Sequence, residues 1–223
     1  MSTILRYHLR IMGEQGVGKT SLELRFKVNN FSGEVVDPVP CMEGYYKHTV
    51  VARLPYLLGI EKLATTADYP KKFVEHEIRN SDGFLLVYSV ASRSSFDRIQ
   101  EYHRMIHRFK EADASHSFSN NGVITKIPIV LIGNQWDRIH DRAVSKEEGL
   151  ALAQELGCSA LEVSAKSGFN VEKAFHDLVR ILDSRQTERA AALCGSGDCD
   201  TRRRSRKVGD NRPEDGEFGC TVA

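Results

Sequence analysis

An octapeptide near the start of the chain restricts its possible folds strongly; it reads Gly13-Glu14-Gln15-Gly16-Val17-Gly18-Lys19-Thr20. It matches the pattern G-x-x-x-x-G-K-[ST] and stands between a short apolar run and a segment with a helical pattern. In such a loop, glycines let successive backbone N–H groups turn towards phosphate oxygens, and the N-terminus of the following helix adds partial positive charge. The sequence therefore predicts a phosphate-binding loop between a strand and a helix.

Two side chains of this loop have predicted roles in binding the nucleotide. Lys19 would neutralise charge on the β- and γ-phosphates and is a candidate catalytic residue, while the hydroxyl of Thr20 is suited to bind Mg²⁺. The candidate nucleotide-binding residues in this segment are Gly13, Glu14, Gln15, Gly16, Val17, Gly18, Lys19, Thr20 and Ser21. A chance glycine-rich turn is the alternative interpretation. The loop by itself does not distinguish nucleotide kinases, ATPases and GTPases.

Short apolar runs alternate with helical patterns along the first 187 residues, as is typical of parallel strands covered by crossover helices. The clearest predicted strands are Tyr7–Ile11, Gly83–Val90 and Ile127–Ile132. A helix is predicted at Ser95–Glu111, followed by a polar surface loop at 112–125. We therefore expect an α/β fold: a doubly wound, mostly parallel sheet of about five or six strands with helices on both faces.

Two later helices have recognisable ends. Ser145 and Glu148 form a capping-box pattern, and Gly157 stands where that helix would end in a left-handed residue. Asn170 is expected to cap a final helix. The apolar residues of that helix recur at helical spacing, which predicts one buried stripe packed on the sheet.

Composition sets the broad class of the protein. The 223 residues carry 31 Lys and Arg against 30 Asp and Glu, a net charge of +1 that gives no reason to expect nucleic acid as a partner. No signal peptide or long apolar run is evident, and the five cysteines form no C-x-x-C pair, so we expect a cytosolic protein without a disulfide framework or zinc site. We predict a nucleotide-binding domain at 1–187 and a disordered tail at 188–223.

Two further segments bear on which base is bound. Leu131-Ile132-Gly133-Asn134-Gln135-Trp136-Asp137 leaves a predicted strand, and Val163-Ser164-Ala165-Lys166 leaves the next one. Together they resemble the N-K-x-D and S-A-K motifs of Ras-type small GTPases. An Asp carboxylate accepts both N1–H and the exocyclic amine of guanine, whereas adenine offers no such pair of donors. Asp137 is therefore the predicted specificity residue.

The resemblance runs from about residue 4 to residue 183, and the segment 83–96 is similar to the central strand and following turn of fungal Ras proteins. It implies bound GTP or GDP with Mg²⁺, and protein partners that act as effectors, exchange factors or activators. It also implies that Phe31 flanks the guanine ring, that Asn134 braces the phosphate loop and that the Ala165 N–H reaches the base oxygen. The other residues that it assigns to the nucleotide site are Gln135, Ser164 and Lys166.

The regions that resemble the two switch segments depart from the family pattern. Gln15 replaces a glycine and would obstruct the arginine of an activating partner. The threonine expected to bind Mg²⁺ in the first switch aligns with either Val39 or Cys41, and neither is a good ligand for that ion. These departures predict that nucleotide binding survives while stimulated hydrolysis falls.

The second switch departs further. The family sequence D-T-A-G-Q aligns with residues 62–66, so that Lys62 replaces the metal-positioning Asp, and Thr65 and Thr66 replace the Gly and the catalytic Gln. Such losses slow hydrolysis by about 10³-fold or more. An error in the gene model around residues 52–68 is the alternative explanation.

The base-binding segment has a departure of its own. Gln135 replaces the Lys of N-K-x-D, which predicts weaker affinity and faster exchange of nucleotide. The neighbouring Trp136 is interpreted as a packing residue rather than one that stacks on the base.

The C-terminus predicts a membrane anchor. The last four residues, Cys220-Thr221-Val222-Ala223, match a C-a-a-X prenylation box. A basic run at 202–207 would add attraction to an anionic leaflet, although acidic residues follow it, and Cys194 and Cys199 are candidates for palmitoylation. We expect the protein at the cytoplasmic face of the plasma membrane, with a cytosolic pool.

Two functions fit these features: a signalling switch that hydrolyses GTP slowly, or a membrane-tethered scaffold that binds effectors without cycling. A metabolic phosphate-loop kinase is disfavoured because it would need neither Asp137 nor a lipidation box. The identity of the effectors and the oligomeric state are left open by the sequence.

Overall fold

A six-stranded sheet forms the centre of the computed structural model, which describes residues 4–29, 31, 46–63, 70–114 and 126–194. The strands are β1 Leu5–Met12, β2 Tyr46–Val51, β3 Leu54–Lys62, β4 Gly83–Ser89, β5 Ile129–Asn134 and β6 Ser159–Glu162. The helices are α1 Lys19–Val28, α2 Lys71–Arg79, α3 Arg93–Asp97, α4 Ile99–Ala114, α5 Lys146–Leu156 and α6 Val171–Cys194, with a short 3₁₀ turn at Ile139–Asp141.

The strand order is β2-β3-β1-β4-β5-β6, and only the β2–β3 pair is antiparallel. The first strand lies in the middle of the sheet because crossover helices carry the chain to either side of it. Its pairing with β3 runs from Leu5 opposite Tyr56 to Ile11 opposite Lys62. The carboxyl ends of β1, β3, β4, β5 and β6 therefore meet at one edge, where ligands bind in open α/β sheets.

Both faces of the sheet are covered. One hydrophobic cluster includes Phe26 of α1 and Phe175 of α6, whose rings stack with centroids 4.0 Å apart. The opposite cluster includes Ile78 of α2, Ile106 of α4 and Leu152 of α5. Every residue of β4 is buried, as expected for a central parallel strand covered on both faces. The prediction of a doubly wound α/β fold is confirmed.

Most of the predicted strands and helix ends agree with the structure. The capping box between Ser145 and Glu148 is present, and Gly157 ends α5 with a positive φ of 66°. The strand predicted at Ile127–Ile132 instead runs over Ile129–Asn134, because Pro128 has no N–H to donate to a ladder.

The single helix predicted at Ser95–Glu111 is wrong. The Ser92 hydroxyl accepts from the backbone N–H of Ser95 at 3.3 Å, and a short helix ends at Asp97 before α4 begins at Ile99. The hydroxyl of Ser95 accepts the backbone N–H of Ser89 at 3.0 Å, which ties this short helix to the end of β4. A tertiary contact thus separates two helices that periodicity alone would join.

Asn170 stands at the start of the last helix as predicted, and its carbonyl accepts the backbone N–H of Ala174 at 3.0 Å, but its side chain makes a different bond from the predicted cap. It precedes α6, but its φ of 57° is left-handed, whereas a capping residue is usually extended. Its side-chain amide donates to the carbonyl of Glu162 at 3.0 Å. Asn170 therefore ties the start of α6 to the end of β6.

The last helix is longer than the sequence pattern suggested. It continues past residue 187, the predicted domain boundary, to Cys194, over an alanine-rich stretch that favours helix. Asp183 on this helix accepts hydrogen bonds from the hydroxyls of Tyr7 at 2.9 Å and of Tyr56. Within the described part of the chain, no helix combines the length and apolar character needed to cross a membrane.

Candidate nucleotide-binding site

Four chain segments meet at the carboxyl edge of the sheet. The loop at 13–18 follows β1, Lys62 ends β3, residues 134–137 leave β5, and residues 163–166 leave β6. Because these strands are hydrogen-bonded neighbours, segments that lie far apart in the sequence converge on one cleft.

The phosphate loop packs tightly enough to require glycine at two positions. A Cβ at Gly13 would collide with the carbonyl oxygen of Val87 in β4, and one at Gly18 would lie 2.5 Å from the amide nitrogen of Asn134. Gly18 also has a φ of 90°, which disfavours any side chain. The loop is thus held against β4 and β5, with its open side towards solvent.

Lys19 begins α1 and reaches back under the loop. Its ammonium donates to the carbonyls of Gly13 at 2.8 Å and Glu14 at 2.7 Å. Burial lowers the pKa of Lys19, and the nearby charge of Lys62 lowers it further, while Glu14 opposes the shift. The first turn of α1 contains no acidic residue, so its N-terminus remains favourable for an anion.

Asn134, at the end of β5, joins the two halves of the site. Its buried amide nitrogen donates to the Val17 carbonyl at 2.8 Å, and its oxygen accepts the backbone N–H of Ala165 at 3.2 Å. The amide of Ala165 therefore contacts Asn134 here, whereas the resemblance assigned it to the base oxygen.

Gln135 makes contacts that the sequence did not suggest. It has a positive φ of 63°, its amide nitrogen donates to the Gly16 carbonyl at 3.1 Å, and its oxygen accepts from the Ser89 hydroxyl at 2.5 Å. Residue 135 is thus a second tether between β5 and the phosphate loop. Ser89 was not predicted as part of the site, although it ends β4 directly opposite Asn134.

Asp137 is exposed, and its carboxylate is oriented from behind. The hydroxyl of the buried Ser164 donates to it at 2.5 Å, and the same hydroxyl accepts the backbone N–H of Ser167 at 3.1 Å. Such a bond limits the orientations that the carboxylate can adopt and leaves it accessible to a ligand.

The surroundings of Asp137 complete this half of the cleft. Arg25 of α1, which no sequence signal marked, donates to the carbonyl of Lys166 at 2.8 Å and fixes that loop against α1. The ring of Trp136 stacks on that of Phe169 with centroids 4.8 Å apart. Phe31, predicted to flank the base, is half-buried and packs against the hydrophobic cluster of α1 and α6.

Lys62 stands at the phosphate end of the cleft. Its ammonium donates to the hydroxyl of Thr20 at 3.0 Å. The preceding strand is firmly placed, since Tyr56, Leu58 and Ile60 are fully buried. The described residues 54–63 are thus an integral part of the fold.

Several predicted residues lie outside the described part of the chain. They are Val39, Cys41, Thr65, Thr66, Cys199, the basic run at 202–207 and Cys220.

A phosphate loop that joins the first, central strand of a doubly wound parallel sheet to a helix defines the class of phosphate-loop nucleotide-binding proteins. The sequence model of the Ras family matches residues 8–184 of the chain. This protein therefore belongs to the Ras family of small GTPases.

Individual fungal proteins agree with this assignment. The chain is 41% identical over 198 residues to Ras-like protein 1 of Pyricularia oryzae, an alignment that covers 86% of this chain and 80% of that protein. It is 40% identical over 183 residues to Protein ras-2 of Neurospora crassa, covering 79% of each. It is 38% identical over 181 residues to Ras-like protein 1 of Saccharomyces cerevisiae, covering 81% of this chain and 54% of that one. Membership implies GTP binding, GTPase chemistry and a role in signalling.

Ras-family GTPases generally hold their nucleotide together with Mg²⁺, through the loop Ser or Thr and an Asp. The described residues do not fit that arrangement: the group that contacts Thr20 is the Lys62 ammonium, where the family pattern has the Asp.

Proposed function

We propose that this protein is a Ras-type signalling GTPase that binds GTP and GDP at the edge formed by β1, β3, β5 and β6 and hydrolyses GTP slowly. The observation that carries the proposal is the Asp137 carboxylate, exposed and oriented by Ser164 at 2.5 Å, at the end of the strand whose Asn134 braces the phosphate loop. One rigid element thus links the group that would read the base to the loop that would hold the phosphates.

The case for guanine rests on hydrogen-bond chemistry. An ionised carboxylate only accepts, so Asp137 favours a base that presents adjacent N–H donors, as guanine does with N1–H and its exocyclic amine. Charge assistance makes these bonds roughly twice as strong as neutral ones. A site built on such bonds rejects a base without them, because the carboxylate would lose water and gain nothing in return.

Competition binding tests base selection. Wild-type protein should bind GDP much more tightly than ADP, and Asp137→Ala should lose most of that preference. Asp141→Ala is the matched control, since Asp141 is exposed, pairs with Arg138 at 2.9 Å and lies four residues further on. If Asp137→Ala kept the wild-type preference, the assignment of Asp137 would be wrong.

Slow hydrolysis is expected because two positions that assist the reaction in the family, one in the phosphate loop and one in the second switch segment, carry other residues here. Gln15 is exposed on the phosphate loop, at a position where its side chain would obstruct an arginine supplied by an activating protein. Thr66 takes the position of the water-orienting Gln in the family pattern. Losing one such group costs roughly 3–4 kcal/mol of transition-state stabilisation, or about 10²- to 10³-fold in rate.

Single-turnover hydrolysis of preloaded GTP measures this directly. We expect slow turnover in the wild type that is abolished in Lys19→Ala and unchanged in Lys72→Ala, which alters an exposed lysine of α2. A rate typical of a protein stimulated by an activating partner would contradict the proposal.

The Lys62–Thr20 contact favours a second candidate function. A cation in place of the metal-positioning carboxylate suits a membrane-tethered Ras-like scaffold that binds nucleotide and effectors without cycling. Complete absence of turnover, in protein that binds GTP, would favour this candidate over a slow GTPase.

We further propose that a prenyl group on Cys220 attaches the protein to the inner leaflet of the plasma membrane, where it meets effector, exchange or activating proteins. A single lipid gives only marginal binding, so the basic run at 202–207 would contribute as well. Cys220→Ser should shift the protein from the membrane to the soluble fraction. Unchanged partitioning would contradict the anchor.

A further inference from the structure

The position of Lys62 is set by the backbone of β3 rather than by the side chain alone. It pairs with Ile11 at the end of the β1–β3 ladder, and the next residue extends that ladder, since the Leu63 N–H donates to the Ile11 carbonyl at 2.9 Å. Leu63 is buried. The side chain of Lys62 therefore starts from a fixed point beside the phosphate loop and ends on the Thr20 hydroxyl.

The ammonium of Lys62 lacks a carboxylate partner among the residues that the structure describes. The neighbouring Glu61 pairs with Arg10, and Glu14 on the loop faces Arg98 at 3.7 Å and the Ser94 hydroxyl. The contact of Lys62 with Thr20 is to a neutral hydroxyl. The positive charge of Lys62 thus remains available to an anion in the cleft.

We propose that the Lys62 ammonium replaces the divalent cation, so that this protein binds guanine nucleotide without requiring Mg²⁺. The inference rests on the proposed function as a guanine-nucleotide-binding protein. A divalent cation together with a carboxylate contributes one net positive charge, and Lys62 alone contributes the same. Replacing the carboxylate by an ammonium therefore balances the loss of the metal.

The hydrogen-bonding capacity of the ammonium agrees with this role. Lys62 has three N–H donors, and one is used on Thr20, which leaves two for oxygens of the β- and γ-phosphates. Lysine is a common phosphate ligand and acts as a compact point charge. A divalent cation placed against the Thr20 hydroxyl would in turn lie beside the ammonium and be repelled by it.

Equilibrium binding of fluorescent GDP to purified full-length protein tests the inference. The titration is run in EDTA and again with millimolar MgCl₂, for wild type, Lys62→Asp and the control Lys72→Ala. For wild type and control we expect the two Kd values to agree within about threefold. In Lys62→Asp, Mg²⁺ should tighten binding on the order of 10- to 100-fold, the usual range for one ligand coupled to another.

A second variant and a second measurement distinguish a loss of charge at position 62 from misfolding of a variant. Lys62→Met keeps an unbranched side chain one atom shorter and removes its charge, and it should weaken GDP binding in EDTA while leaving the circular dichroism spectrum unchanged. Mn²⁺ electron paramagnetic resonance of the GDP complexes should report bound ion in Lys62→Asp and none in wild type.

Two results would overturn the inference. One of them would leave the proposed guanine-nucleotide binding intact, and the other would overturn it as well. If wild type bound GDP only with Mg²⁺, the role of Lys62 would be refuted while guanine-nucleotide binding stood. If folded wild type bound no guanine nucleotide in either condition, the proposed function itself would fall, and the inference with it.

Discussion

Removing the side chain of Asn134 should lower the free energy of unfolding far more than the small size of that side chain suggests. Its amide is almost completely buried and supplies two hydrogen bonds, to the Val17 carbonyl at 2.8 Å and from the Ala165 N–H at 3.2 Å. Asn134→Ala leaves both backbone groups without a partner. A buried donor or acceptor without a hydrogen-bond partner costs about 1–3 kcal/mol, so the two together should lower the free energy of unfolding by roughly 2–6 kcal/mol. For a domain whose total stability is about 5–15 kcal/mol, that is a large fraction.

Urea denaturation measures this loss, with Asn80→Ala as the matched control. Asn80 is exposed, and its amide contacts His76 on the surface, so its removal should change the free energy of unfolding by no more than about 0.5 kcal/mol. Asn134→Ala should also weaken GDP binding, because the phosphate loop loses its brace. Equal unfolding midpoints for the two variants would show that the hydrogen bonds of Asn134 do not contribute this stability.

Three further predictions concern other contacts. Hydrogen bonds from Ser145 hold the pKa of Glu148 at about 2, below its ordinary 4.5, so the advantage of wild type over Glu148→Gln should be full above about pH 4.5 and disappear as the pH falls towards 2. A pH-independent difference in urea midpoint would contradict this. Asp183→Ala removes the acceptor of the buried hydroxyls of Tyr7 and Tyr56, and it should lower the free energy of unfolding by about 1–3 kcal/mol for each of them. Thermal unfolding measures this loss, and an unchanged Tm would contradict the prediction. Gln135→Lys should slow release of fluorescent GDP, because it restores the family residue beside the base, and an unaltered rate would remove that explanation.

The parts of the fold that follow from local patterns could be predicted from the sequence. Glycine spacing predicted the phosphate loop, the Ser145–Glu148 pair predicted the start of α5, and buried runs predicted β1 and β4. The division of the predicted helix near Arg98 could not be found in this way, because it depends on the contact of Ser95 with the end of β4.

The same distinction applies to the site. The motif resemblance assigned both Asp137 and Ser164 to the nucleotide site, and the structure brings them together because they follow neighbouring parallel strands. The tether from Gln135 to Gly16 and the bond from Lys62 to Thr20 join residues 119 and 42 positions apart. Their geometry depends on side-chain direction at the sheet edge, which the sequence pattern does not specify.

Calorimetric titration of purified, folded protein with GDP and, in parallel, with ADP would measure directly whether the site selects guanine. We expect GDP to bind at one site and ADP to bind weakly or not at all, because only guanine presents paired donors to Asp137. Equal affinity for the two nucleotides, or no binding of GDP, would contradict it.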